Sequence, residues 1–413
     1  MRPGLLAILV ACGSQDRPAP AARTFSEAEI AAYRADALAR LDANQKRSCP
    51  GPKPLGATTA GASGPDILAL VEGTGDVAAC MGAPSAGPDP ELAAETASPA
   101  AIARNQRCGA ILDAAVHRAS AHDGGCSPYQ IGVRAEPKDR LSLLHLVHAI
   151  DVRAALLAPG DPAKAMGLLL DALRVLQDLQ RGHVRVETVM LTTAAIHMVG
   201  KRADAILDAA ELAPAFLGDL AGALDRLILG VPPFGDGVAG DRELLDIYAG
   251  LAPLDEAWIP HGGWDEELHN LPGGGSGDPR DEAATHLATS ARIAALDDAA
   301  CPAGATFEAC RQGFETLARG APRPPGGGAP EASRLDPKVI DALAVIRARG
   351  LADSVTRLAG TLIHLAELRL HVEALRTHAC PPGLESPARL GKPLEIAVAS
   401  GAVTIDRWTF RCR

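Results

Sequence analysis

Aromatic residues are scarce in this chain: three Trp, three Tyr and six Phe among 413 residues. The core material is instead Leu, Ile, Val and Ala, and a hydrophobic content of 47 % is enough for a sizeable core. A basic surplus is also missing. The formal net charge of −10 excludes a nucleic-acid partner, because phosphate neutralisation needs a basic face. No CxxC pair occurs, so the close ligand spacing of a structural zinc site is absent. Nothing matches HExxH, a GxSxG elbow, a P-loop or GxGxxG after a strand. The chain has no fixed internal repeat, the tetratricopeptide period included. What is plentiful is glycine (42) and proline (32), together above the usual ~12 %. With this apolar content that composition excludes a collagen, a mucin or a disordered acidic tail, and it implies several long loops.

Residues 1–12 read MRPGLLAILVAC, with Arg2 as a minimal basic n-region and an apolar run over Gly4–Ala11. That run suits a short signal h-region and falls far below the ~20 residues that span a bilayer. Leu9-Val10-Ala11-Cys12 resembles the lipobox of bacterial lipoproteins. The resemblance implies cleavage before Cys12, a diacylglycerol on its thiol and acylation of its amine. Gly13, where Asp would signal inner-membrane retention, implies the outer membrane. Residues 1–11 are thus expected to be a lipoprotein signal peptide and 12–24 the lipid anchor and tether. The expected partners are the membrane, through the N-terminal lipid, and an envelope protein.

Beyond Cys12 there are eight cysteines: Cys49, Cys80, Cys108, Cys126, Cys301, Cys310, Cys380 and Cys412. An even number in an exported chain implies up to four disulfides. Proximity suggests Cys301–Cys310, and Cys380–Cys412 if the last segment folds back; the other four would pair among themselves.

The expected fold is mainly α, an irregular array of antiparallel helices with long Gly/Pro loops and a short C-terminal β-hairpin. A helical domain is expected over 25–320, and a long helix with the hairpin packed on it over 335–413, within the same globular unit. Ser26 and Glu29 make a capping box before a first helix at 27–45. Residues 50–66 and 82–99 read as loops around a helical piece at 66–80. Helices follow at 101–120, 139–157, 162–181, 185–209 and 213–229, with Asp161-Pro162 as N-cap and first-turn proline. Short helices are expected near 241–251 and 279–299. Asp336-Pro337 opens the last helix, to about 377 with a pause at Gly350. Residues 394–398 and 403–408 flank Ser400-Gly401 as a hairpin. The tail from about residue 366 also resembles the ending of many uncharacterised secreted helical proteins, a likeness that carries no known activity.

Four groups could carry chemistry. His145, His148 and Asp151 lie three apart on one helix, where a hydrogen bond from His148 to Asp151 is the simpler reading than a shared metal. Asp171, Arg174, Asp178 and Arg181 alternate in sign at helical spacing and read as an intrahelical ladder. His364, His371 and His378 recur every seven residues, too far apart for one ion, and read as a solvated flank beside the seam Val355, Leu358, Leu362, Leu365 and Val372. Trp258, His261, Trp264, Glu266 and His269, with Asp265, form a polar–aromatic cluster on a loop and are the ligand-binding candidate. No catalytic residue, cofactor or metal site is assigned. The leading functional reading is therefore a lipid-anchored envelope protein that binds or scaffolds a partner. An envelope hydrolase is the alternative, and it needs some of His145, His148, Asp151, His261, Glu266 and His269 in one cleft.

Overall fold

The computed structural model describes residues 59–62, 64–72, 77, 98–124, 138–181, 186–241, 293–319, 337–406 and 408–412, together with a few positions between 28 and 39. The signal, the tether, Cys49, Cys80, Cys126, the loop at 82–97 and the 258–269 cluster lie outside the described residues. Ala28, Ala31, Ala32, Ala35, Asp36 and Ala39 are helical and exposed, inside the expected first helix.

The chain is mainly helical. In order, the elements are strand β1 (Thr59–Ala62), helix α1 (Gly64–Glu72), α2 (Pro99–Ser120), β2 (His122–Gly124), α3 (Lys138–Leu157), α4 (Pro162–Leu179), α5 (Val186–Ala209), α6 (Pro214–Gly230), α7 (Phe307–Arg319), α8 (Pro337–Thr377), β3 (Ile396–Ala399), β4 (Ala402–Ile405) and β5 (Trp408–Arg411). Residues 234–241 and 293–300 are also helical. Among the described residues, no helix is long and apolar enough to cross a membrane.

Local signals explain the starts of α4 and α6. The Asp161 carboxylate accepts the Lys164 N–H at 2.9 Å, and Pro162 occupies the first turn of α4, where its missing N–H costs nothing. Pro214 likewise occupies the first turn of α6, without a side-chain cap. The stripe Leu143, Leu146, Val147, Ile150 and Ala154 turns α3 toward the core.

Four expectations need correction. The segment read as a loop at 50–66 contains β1, which pairs in parallel with β2, a contact between segments about sixty residues apart. The helical piece expected at 66–80 ends at Glu72. No pause occurs at Gly350; α8 runs unbroken for 41 residues, its apolar seam outweighing one glycine's poor helix propensity. The terminal hairpin has a third strand, because the chain turns at Asp406, whose φ is 54°, and β5 returns along β4. The β3–β4 turn holds positive φ at both Ser400 (53°) and Gly401 (75°), the pairing a tight two-residue hairpin needs.

Helix α4 packs against α2, α3, α5 and α6, while α8 packs against α5, α6, α7 and β5. One apolar cluster runs through both sets, from Ile67 to Phe410. Helix α5 belongs to both groups. Disulfides close Cys301–Cys310 (Cα–Cα 4.4 Å) and Cys380–Cys412 (5.2 Å), the latter stitching the end of α8 to the end of β5. Cys108 is disulfide-bonded as well.

Candidate functional site: a buried histidine–carboxylate cluster

The α5–α8 interface is polar along one stripe. On α5 the stripe is His197, Gly200, Asp204 and Asp208; on α8 it is His364, Glu367 and His371, all at the three- and four-residue spacing that shares a helix face. The two stripes meet in the same numerical direction. His364 lies over Gly200, where any Cβ would overlap its ring. His197 stands edge-on to His364 at 5.7 Å. Further along, His371 Nδ1 meets Asp204 Oδ1 at 3.3 Å, and its Nε2 lies 3.6 Å from Asp208 Oδ1. His364 Nδ1 lies 3.3 Å from Glu367 Oε2.

Strand β5 covers this seam. Alternate residues on a strand face the same way, so Trp408 and Phe410 both reach α8. Trp408 stacks on His364 at 3.9 Å with planes 27° apart, and Phe410 stacks on His371 at 4.7 Å with planes 13° apart. Each imidazole is thereby held flat against an aromatic face.

Glu367 and His371 are only 2 % and 1 % exposed, and His364 is fully buried, whereas Asp208 reaches solvent. Burial pushes the Glu367 carboxyl up to about 9, and the charge of Asp204 and a hydrogen bond to it push the same way. Glu367 therefore holds its proton more tightly than an ordinary glutamate does. Asp204, Glu367 and His371 each present one ligand atom, and these atoms lie within 4.8 Å of one another.

This overturns the reading of His364 and His371 as a solvated flank. Helix α8 is enclosed by α5, α6, α7 and β5, so its histidine face is interior; only His378, past the helix end, is exposed. The signal available was the H-x-x-E-x-x-x-H spacing of His364, Glu367 and His371. That spacing is not diagnostic, and its partners on α5 are more than 150 residues away.

The predicted groups on α3 and α4 resolve as structure. Asp151 is taken by Arg202 through both carboxylate oxygens, at 2.8 and 3.0 Å, rather than by His148. A guanidinium offers two parallel charge-assisted hydrogen bonds to the carboxylate, which an imidazole cannot. Burial, followed by the neighbouring His148, holds the His145 imidazole below its ordinary value. The ladder on α4 is present in part. Arg174 and Arg181 pair with Asp178 at 3.2 and 3.5 Å, but Asp171 turns outward to Ser120 (2.6 Å) and His117 (2.9 Å) on α2.

Beside the cluster, a cavity of about 450 Å³ opens between α5, α7 and α8. His197 forms part of its wall with Phe307, Val355 and Ile363, while Arg357 and Lys392 are exposed at its edge. Arg311, also in the lining, is held by Glu308 at 3.1 and 2.6 Å and by Glu315. Comparison with protein-family models, curated proteins and solved structures returns no match for the chain.

Proposed function

We propose that this protein is a lipid-anchored helical protein of the bacterial cell envelope that binds a partner in the cleft between α5, α7 and α8. The partner's contacting group is a small acid on an apolar stem. The cavity carries this reading: it has the size of a small-molecule site, an apolar wall of Phe307, Val355 and Ile363, and two cations at the edge, Arg357 and Lys392. Arg311 is held by Glu308 and Glu315, and Asp406 also lines the cavity, so Arg357 and Lys392 are the exposed cations that would meet the acid. The anchor half of the proposal rests on Leu9-Val10-Ala11-Cys12, and the oxidised pairs Cys301–Cys310 and Cys380–Cys412 suit an exported chain.

Two experiments test it. Cys12→Ser should move the protein from the membrane fraction to the soluble periplasm; an unchanged membrane fraction removes the anchor. For the cleft, the tag-free mature protein is heated with aliphatic and aromatic monocarboxylates. Stabilisation of wild type that disappears in the Arg357→Glu/Lys392→Glu double variant supports the assignment. Stabilisation undiminished in that variant, or none with any acid, overturns it.

A further inference from the structure

We infer that Asp204, Glu367 and His371 form a binding site for a first-row divalent transition metal, with Asp208 as an outer carboxylate that orients His371. The inference is independent of the cleft reading, since it uses other side chains and another ligand.

The geometry is the first support. Glu367 and His371 are four residues apart on α8 and share a face, and Asp204 comes from the facing turn of α5, so three donors converge from two rigid helices. Their ligand atoms already lie within 4.8 Å of one another, close enough for bonds of ~2.0–2.2 Å to one ion after small side-chain movements.

Donor chemistry narrows the ion. One imidazole nitrogen with two carboxylates is too nitrogenous for calcium or magnesium, which take all-oxygen shells, and lacks the thiolates of a soft-metal site. Zinc, manganese and ferrous iron accept this set. With three protein donors, coordination positions stay open for water or another ligand.

Burial and charge supply the second, separate support. Three carboxylates crowd one end of the interface, and among the described residues their recorded ion pairs are to histidines only, with no Lys or Arg. Glu367 Oε2 is buried and no hydrogen bond reaches it in good geometry, although His364 Nδ1 is beside it. Two carboxyl groups this close, one of them buried, share a proton unless a cation takes its place between them. Placing the ion against Nδ1 of His371 leaves Nε2 to Asp208. That is the carboxylate-on-the-far-nitrogen arrangement that fixes a ligating histidine, and the Phe410 ring already fixes its plane. Asp208 is 58 % exposed at the side chain, so the ion's route from solvent runs past it.

The test uses the full mature protein, free of any affinity tag, stripped with a chelator and dialysed without reductant. Zn²⁺ and Mn²⁺ are titrated separately by calorimetry, and bound metal is counted by elemental mass spectrometry. The expected result is one equivalent of at least one of the two metals, with a higher Tm. Glu367→Gln and Asp204→Asn should each abolish binding or weaken it by more than the ~10–100-fold that loss of an outer-shell partner costs, while Asp225→Asn, on α6, should leave it unchanged. Should Glu367→Gln fail to fold by circular dichroism, the half-buried Asp204→Asn decides alone. Absence of stoichiometric binding by wild type overturns the site, and so does binding that persists at wild-type strength in the folded variants.

Discussion

Two buried polar networks interrupt the aliphatic core, and they are built on opposite principles. On α4, Arg174 and Asp178 are both fully buried four residues apart, and Arg181 joins them from the next turn. Arg174 and Arg181 share the one carboxylate of Asp178, and all three lie within about two turns of the chain. The neighbouring Gln177 donates to the Leu227 carbonyl at 2.6 Å, and Arg181 reaches the Gly230 carbonyl at 3.4 Å, so α4 and α6 are tied together. Burial holds the Arg181 guanidinium down at about 10, partly offset by Asp178. The α5–α8 network has an excess of acid, draws its members from two helices and a strand, and opens to solvent through Asp208. A network whose one carboxylate is already held by two guanidinium groups has no place for a cation and acts as a structural tie. One left acid-rich and open at one edge is suited to taking a cation.

The largest expected effect comes from breaking the α4 network. Asp178→Ala removes the carboxylate between two buried guanidinium groups and should cost about 3–5 kcal/mol in a urea titration. A loss under about 1 kcal/mol would mean that Arg174 and Arg181 are satisfied without it. Gly200→Ala attacks the second network by packing alone: the new methyl overlaps the His364 ring, and the loss should be about 1–3 kcal/mol. An unchanged urea midpoint would mean the two helices separate freely there.

The third prediction sharpens the comparison through pH. The Glu367 carboxyl is raised from 4.5 to about 9, so the folded state holds a proton that the unfolded chain releases. Its contribution is fully present below about 4.5 and is lost as pH rises to about 9. In metal-free protein, Glu367→Gln should therefore flatten the fall in stability between those limits, measured as the urea midpoint at several pH values. A parallel slope in both proteins would assign that proton elsewhere. The smallest effect is expected from replacing the α4 network whole. Arg174→Met, Asp178→Leu and Arg181→Met together should leave stability within about 1 kcal/mol of wild type or above it, because a well-packed apolar trio avoids the desolvation cost. Metal binding should be unaffected. A large loss would show that the tie does more than hold α4 to α6.

The first network was legible in the sequence and the second was not. Alternating charges at three- and four-residue spacing on an otherwise apolar helix can hardly do anything but pair, and Arg174, Asp178 and Arg181 do so. Only Asp171, at the end of the series, found a better partner in Ser120 on α2. Histidines seven apart on α8 carry no such constraint. The seam Val355, Leu358, Leu362, Leu365 and Val372 is buried as its spacing implies, but burial also extends to the histidine face beside it. In a helix enclosed by α5, α6, α7 and β5, polarity no longer marks the outside. The third strand was missed for a related reason. The alternation from Val403 to Trp408 continues across the turn at Asp406, so period alone does not separate β4 from β5.

By itself the sequence determined what depends on neighbours along the chain. These are the helix starts at Asp161-Pro162 and Ala213-Pro214, the Ser400-Gly401 turn, the α4 ion pairs, and the Cys301–Cys310 bridge across nine residues. Each is decided by dihedral preference or by spacing within a few turns. The tertiary structure alone decided that the stripe His197–Asp204 on α5 meets His364–His371 on α8, and that Trp408 and Phe410 cover them. Those contacts join residues as far as 167 positions apart. Which face of α8 meets α5 follows from how all the enclosing elements pack together, and no local spacing encodes that.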